Sequence, residues 1–60
     1  MKQVKLIRAG AAAQIVNPLT QEVIKQFPIL KKDFRQELRR YIDTFKLQVI
    51  NAANFTWALD

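Results

Sequence analysis

The sequence predicts a mainly α-helical fold: a small three-helix domain with one long amphipathic C-terminal helix and an aromatic tail. Two observations carry this prediction. After Pro28 the apolar residues recur every three or four positions, which is the spacing of one helix face. Two prolines, in Asn17-Pro18 and Phe27-Pro28, divide the chain into three segments, and proline suits the first turn of a helix. The predicted helices cover residues 3–16, 18–26 and 29–53.

The first segment supports a helix or a strand. Val4, Ile7, Ala11 and Ile15 have helical spacing, and three consecutive alanines add helix propensity. Residues 3–8 also alternate in the manner of a strand. Gly10 fits a helix interior at a cost of about 1 kcal/mol relative to alanine, or a junction between strand and helix. Both interpretations stay open.

The second segment begins with Asn17, a good N-cap residue, followed by Pro18 at the next position. Leu19, Val23 and Ile24 can then share one face of a short helix, whose positive end Glu22 would stabilise. Such a short helix needs packing from the rest of the chain to be stable.

The third segment carries the strongest helical pattern. Its apolar stripe consists of Leu30, Phe34, Leu38, Tyr41, Ile42, Phe45 and Val49. No glycine or proline follows Pro28, so the helix could continue to Asn54 as its C-cap. Residues 45–49 and 55–59 also alternate like strands around a possible loop. The alternative fold is therefore α+β, with an N-terminal strand, two helices and a C-terminal hairpin.

Sixty residues form a single small domain, residues 1–60, whose core is marginal. Half of the residues are hydrophobic, which favours folding over disorder. The chain has no cysteine, so disulfides and thiolate metal sites cannot add stability. We therefore expect the domain to be completed by oligomerisation or by a partner.

The chain lacks the side chains of most active sites. It has no histidine, cysteine or serine, and its one glycine excludes a glycine-rich phosphate loop. Asp33 and Glu37 share a helix face, but Arg40 and Lys32 flank them, so charge pairing on a solvated surface explains them better than metal binding or acid–base chemistry. The sequence predicts a protein that is not an enzyme, with no catalytic residue, metal or cofactor.

A net charge of +5 predicts an acidic partner, either nucleic acid or an acidic protein surface. Arginines spaced by about one helical turn can reach successive phosphates through their forked guanidinium groups. The first functional hypothesis is a small non-catalytic, regulator-like binding protein whose amphipathic helix docks on nucleic acid or on a nucleic-acid-processing machine. Its candidate contacts are Lys32, Arg35, Arg39, Arg40 and Lys46.

The alternative hypothesis is a protein–protein interaction, inhibitor or assembly subunit of a larger complex, such as a viral or plasmid accessory protein. The candidate partner anchors are the apolar residues of the tail, Phe55, Trp57 and Leu59. A third possibility is a basic amphipathic helix on a membrane surface. No apolar stretch is long enough to span a bilayer, and Arg8 and Gln14 interrupt any signal-like region. The expected location is the cytoplasm, or the host cytoplasm if the protein is viral.

Overall fold

Four strands form one mixed sheet in the order β3-β2-β1-β4 in the computed structural model, which describes residues 2–59. Strand β1 pairs antiparallel with β2 and parallel with β4, and β2 pairs antiparallel with β3. The elements in chain order are β1 (Lys2–Ala9), β2 (Ala12–Val16), β3 (Val23–Pro28), α1 (Phe34–Thr44), β4 (Leu47–Val49), a 3-10 helix (Ala52–Phe55) and α2 (Thr56–Leu59). The fold is α+β, so the prediction of a mainly helical, three-helix domain is wrong.

The first predicted helix, residues 3–16, is the β1–β2 hairpin. Gly10 has a φ of 61°, and Ala9 pairs with Ala12 across the turn. Positive φ at the first central position is the pattern of a type II′ turn, which matches the twist of a hairpin and favours glycine. Alternation in β1 buries Val4 and Leu6 on one face. Pairing between strands overrides the helix propensity of the alanines, because it buries their neighbours on a common face.

The second predicted helix, residues 18–26, is a hairpin loop followed by β3. Asn17 does not cap a helix; its Oδ1 accepts a hydrogen bond from the Leu19 amide at 2.9 Å. The backbone N–H of Asn17 donates a hydrogen bond to the backbone carbonyl of Glu22 at 2.9 Å, and this bond closes the loop. Asparagine followed by proline starts this kind of turn as readily as it starts a helix. The β-branched Val23 and Ile24 then favour a strand.

The third predicted helix, residues 29–53, is shortened to the eleven residues of α1. Phe34 and Leu38 of the predicted stripe are buried, and Tyr41 and Ile42 pack beside them. The helix ends at Thr44, and Lys46 then adopts a left-handed φ of 53°. Residues 47–49 pair with β1, because the free edge of that strand offers hydrogen bonds to a segment rich in β-forming residues.

The C-terminal segment is neither an extended tail nor half of a hairpin. Strand β4 is parallel to β1, and residues 52–59 form the 3-10 helix and α2. Ala58 of α2 is fully buried. This segment therefore folds back and closes one side of the protein's own core.

The core lies between one face of the sheet and the helical layer. Its buried residues come from β1, β2, β3, α1 and α2: Val4, Leu6, Ala13, Ile15, Phe27, Phe34, Leu38 and Ala58. The opposite face, here called the outer face, has no helix packed on it in the described part of the chain. A two-layer arrangement of this kind buries one side of a sheet and leaves the other for solvent or a ligand.

Candidate interaction surfaces

The predicted basic contacts do not all lie on one helix. Arg35, Arg39 and Arg40 belong to α1, whereas Lys32 precedes this helix and Lys46 follows it. All five residues are exposed. At 100° per residue, Arg35 and Arg39 lie on one flank of α1, and Arg40 lies 100° beyond Arg39, with Asp43 between them around the helix axis. The shortened helix therefore divides the predicted stripe into smaller groups.

Lys31 forms ion pairs with two nearby acidic residues. Its Nζ lies 3.0 Å from Glu37 Oε1, to which it donates a hydrogen bond, and 3.9 Å from Asp33 Oδ1. The hydrogen bond to Glu37, followed by the charges of both carboxylates, raises the pKa of Lys31. The Asp33–Glu37 pair of the sequence analysis is thus part of a solvent-exposed ion-pair cluster.

Arg39 contacts the C-terminal segment. Its Nη1 donates a hydrogen bond to the Leu59 carbonyl at 2.8 Å. This carbonyl belongs to the last turn of α2, where helix carbonyls lack partners within the helix and favour a cation. The bond joins the predicted basic contacts to the predicted anchor segment within one chain.

The predicted anchor residues pack against the body of the domain. Phe55 and Leu59 are half-buried beside the core. The Trp57 ring stacks on Phe34 with centroids 6.2 Å apart, and the Arg8 guanidinium lies 5.9 Å from the Trp57 ring centroid. Even so, 43% of Trp57 remains exposed.

A second aromatic group lies at the C-terminal end of α1. We call Phe27, Tyr41 and Phe45 the aromatic ladder, because each ring contacts the next. Tyr41 meets Phe27 edge-on at 5.6 Å between centroids and Phe45 at 4.6 Å. Phe27 is buried, Tyr41 is half-buried and Phe45 is 59% exposed. The ladder therefore leads from the core to a solvent-exposed ring whose neighbours restrict its motion.

Basic residues lie beside the exposed end of the aromatic ladder. Lys46 follows Phe45 directly, and the next residue, Leu47, pairs with Lys2 of β1. Both lysines are exposed. The exposed end of the ladder is therefore followed along the chain by a basic residue and by a strand that pairs with another basic residue.

Residues 2–59 contain no group of three or more acidic, histidine or cysteine side chains arranged to hold a metal ion. No helix in this part of the chain has the length and apolar character required to cross a membrane.

Comparison with protein-family models, with curated proteins and with solved structures finds no match to this chain.

Phe45 fits the apolar stripe of the sequence, which predicts a position inside the helix and not a contact residue. The missed signal was the alternation of Phe45, Leu47 and Val49, which already competed with the helix. Since α1 stops at Thr44, Phe45 lies at the helix end instead of inside the helix.

Proposed function

We propose that the protein is a non-catalytic interaction module that binds another protein through Phe45 and its surroundings. The single observation that carries the proposal is the aromatic ladder, which supports a ring that is 59% exposed. Aromatic residues held in place by their neighbours are frequent anchors of interfaces, because they bury a large area and lose little conformational entropy on binding. Such a protein acts as an inhibitor or as an assembly subunit of a larger complex.

The exposure of Phe45 is notable because the core is already closed without it. Phe34 and Leu38 fill the inner side of α1, and Ala58 of α2 is fully buried. Leu19 and Leu30 are exposed as well, and like Phe45 each lies on a turn outside the strands and helices. Phe45 differs from these two leucines by its tilted ring contact with Tyr41, whose centroid lies 4.6 Å away.

The charge near the aromatic ladder points to the chemistry of the partner. Lys46 follows Phe45 in sequence, and Lys2 pairs with Leu47, two residues beyond Phe45. An apolar pocket bordered by carboxylates would receive Phe45 and pair with these lysines, and charge complementarity at the rim speeds association and selects partners. The proposed partner is therefore a protein with an acidic surface around an apolar pocket.

Docking of nucleic acid on α1 stays a prediction. Arg35 and Arg40 are exposed, and Lys31 pairs with Asp33 and Glu37, which reduces repulsion of a phosphate backbone. Against this, Asp43 lies between the arginines and Arg39 binds the Leu59 carbonyl. The protein–protein proposal has the more specific support, since it depends on an ordered side-chain arrangement instead of charge alone.

The test is affinity capture from a lysate of the source cells, or of the host cells, with and without nuclease treatment, using the wild-type chain and single variants. Phe45→Ala should lose the captured protein while keeping the circular dichroism spectrum of the wild type. Leu30→Ala is the matched control, since it removes an exposed apolar side chain before the start of α1, at the opposite end of the helix from Phe45.

Three outcomes decide between the sites. The proposal is supported if Phe45→Ala loses the captured protein and Leu30→Ala retains it. Loss with Trp57→Ala alone moves the anchor to the C-terminal segment, as the sequence analysis predicted. Capture that disappears on nuclease treatment would instead favour nucleic acid as the bridging partner.

A further inference from the structure

The outer face of the sheet is a second surface with its own chemistry. Strand alternation and register assign to it Gln3, Lys5, Ile7, Ala9, Ala12, Gln14, Val16, Val23, Gln26, Pro28 and Gln48. Val16 is 4% exposed yet is not part of the core cluster, which fits its position on the opposite face from Leu6 and Ile15. Each of the four strands contributes a glutamine to this face.

Most apolar side chains of the outer face are small or partly shielded from water, although Val23, on the edge strand β3, is 46% exposed. Val16 is already shielded from water, and Ile7 is half-buried. The polar side chains of this face are four glutamines and one lysine. Covering them with an apolar layer would remove water from amide groups without replacing their hydrogen bonds, which is unfavourable. The face therefore suits a polar ligand better than a hydrophobic one.

One glutamine pair on the outer face is pre-oriented. Gln14 Nε2 donates a hydrogen bond to Gln26 Oε1 at 2.8 Å across the β2–β3 pair. This bond uses one of the two Nε2 protons of Gln14, and within residues 2–59 no hydrogen bond occupies its Oε1. Gln14 thus keeps one donor and one acceptor, the combination that binds the N7 and N6 edge of adenine in a bidentate manner.

Charge on the outer face favours a polyanion. Lys5 lies on it, and none of the residues assigned to it above is acidic. The acidic residues of the described chain lie elsewhere: Glu22 in the β2–β3 loop, and Asp33, Glu37 and Asp43 just before or within α1. With a net charge of +5, the chain attracts phosphates independently of base sequence. We propose that the outer face binds the major groove of B-form DNA.

The spacing of the strands fits this ligand. Alternate residues along a strand are about 6.6 Å apart, close to two base-pair steps of about 3.4 Å each. The major groove is about 12 Å wide and admits a two-stranded ribbon such as β1–β2. Ile7 lies directly opposite Gln14, so Ile7 can contact a thymine methyl group when Gln14 binds the paired adenine. Lys5 then meets a base two steps away.

Other nucleic acids fit the outer face less well. Single strands bind by stacking on aromatic rings, and none of the residues assigned to this face is aromatic. The major groove of duplex RNA is too deep and narrow for side chains to read. This inference does not rest on the proposed function, because Phe45 lies at the end of α1 and not on the sheet.

The test uses fluorescence anisotropy with a short labelled DNA duplex of mixed sequence, in buffer of low and of raised salt concentration. We expect the wild type to bind the duplex, with affinity that falls as salt rises. The double variant Gln14→Ala/Gln26→Ala should weaken binding to this duplex by about tenfold or more and reduce the preference for A·T over G·C when one base pair at a time is exchanged. Lys5→Ala should lower the salt dependence.

Matched controls separate this site from α1 and from the aromatic ladder. Phe45→Ala should bind the duplex as the wild type does, and Arg35→Ala/Arg40→Ala should weaken binding through its lower net charge without changing the preference for A·T. The inference would be overturned if duplex binding were undetectable at low salt or if the glutamine variant bound the duplex as tightly as the wild type. It would also be overturned if only the arginine variant lost duplex binding. Tighter binding to a single strand or to duplex RNA than to DNA would overturn it too. The replaced glutamines are surface residues, and matching circular dichroism spectra check that each variant is folded.

Discussion

The side-chain amide of Asn51 makes two hydrogen bonds with the backbone of Leu6. Its Oδ1 accepts from the Leu6 N–H at 3.0 Å, and its Nδ2 donates to the Leu6 carbonyl at 2.8 Å. Strand β4 ends at Val49, so Asn51 continues the pairing along β1 with its side chain while the main chain turns into the 3-10 helix. The side-chain amide of Asn51 therefore supplies hydrogen-bond partners for the backbone of β1 beyond the end of β4.

Replacing Asn51 by alanine should lower the free energy of unfolding by about 2 kcal/mol, because a partly buried donor and acceptor lose their partners. Asn51→Asp should also destabilise, since a carboxylate cannot donate to the Leu6 carbonyl. Urea denaturation followed by Trp57 fluorescence measures both effects. The control is Asn54→Ala at an exposed position, which should change stability by less than about 0.5 kcal/mol. Equal effects at positions 51 and 54 would contradict this role of Asn51.

Gly10→Ala should destabilise the β1–β2 hairpin by about 1 to 2 kcal/mol. The φ of 61° at Gly10 is unfavourable for a residue with a Cβ atom. Among the described residues, no atom beyond Gly10 and its two chain neighbours lies within 4 Å of the position that a Cβ would occupy, so the expected loss comes from backbone conformation and not from a clash. Urea denaturation measures this loss, and unchanged stability would show that the turn does not need a left-handed residue.

Arg39→Ala should loosen the C-terminal segment more than Arg35→Ala does. Arg39 donates to the Leu59 carbonyl at 2.8 Å and so joins α1 to the end of α2. Hydrogen exchange of the Ala58 and Leu59 amides, which lie in the last turn of α2, measures the local opening. We expect faster exchange in Arg39→Ala and wild-type exchange in Arg35→Ala, and the same exchange rates in both variants would contradict this assignment.

The ion-pair cluster of Lys31 should contribute a small, pH-dependent stability. Its folded-state pKa is raised above the ordinary value of 10.5 by Glu37 and Asp33, so the contribution is present below that pH and is lost as pH rises through the folded pKa. Lys31→Gln should remove it at neutral pH, and salt should weaken it because the groups are exposed. The stability difference between wild type and Lys31→Gln should shrink at strongly alkaline pH. A difference that grew there would contradict a raised pKa of Lys31 in the folded state.

The sequence identified the centre of α1 correctly, because Phe34, Leu38, Tyr41 and Ile42 form a periodic stripe that packing then buries. The helix predicted for the first segment was wrong, because helix propensity of the alanines and helical spacing competed with strand-like alternation over residues 3–8. Strand pairing depends on partners that are distant in sequence, so local propensity cannot resolve that competition. The end of the long predicted helix was missed for the same reason, since β1 provides the edge to which β4 pairs.

Only part of the candidate interaction surfaces could be predicted from the sequence. Composition and charge indicated exposed basic residues, and those predicted contacts are exposed. The aromatic ladder required the three-dimensional meeting of Phe27 from β3 with Tyr41 from α1. Likewise, the glutamines of the outer face are scattered between positions 3 and 48, and only the register of four strands assigns them to one surface.

The central claim is that Phe45 contacts a protein partner. The most direct measurement places a photoreactive benzoyl-phenylalanine at position 45 or at position 57 and crosslinks each chain in nuclease-treated lysate. We predict that position 45 yields a discrete crosslinked protein, which mass spectrometry can identify, and that position 57 yields much less of it. A crosslink from position 57 with none from position 45 would contradict the account.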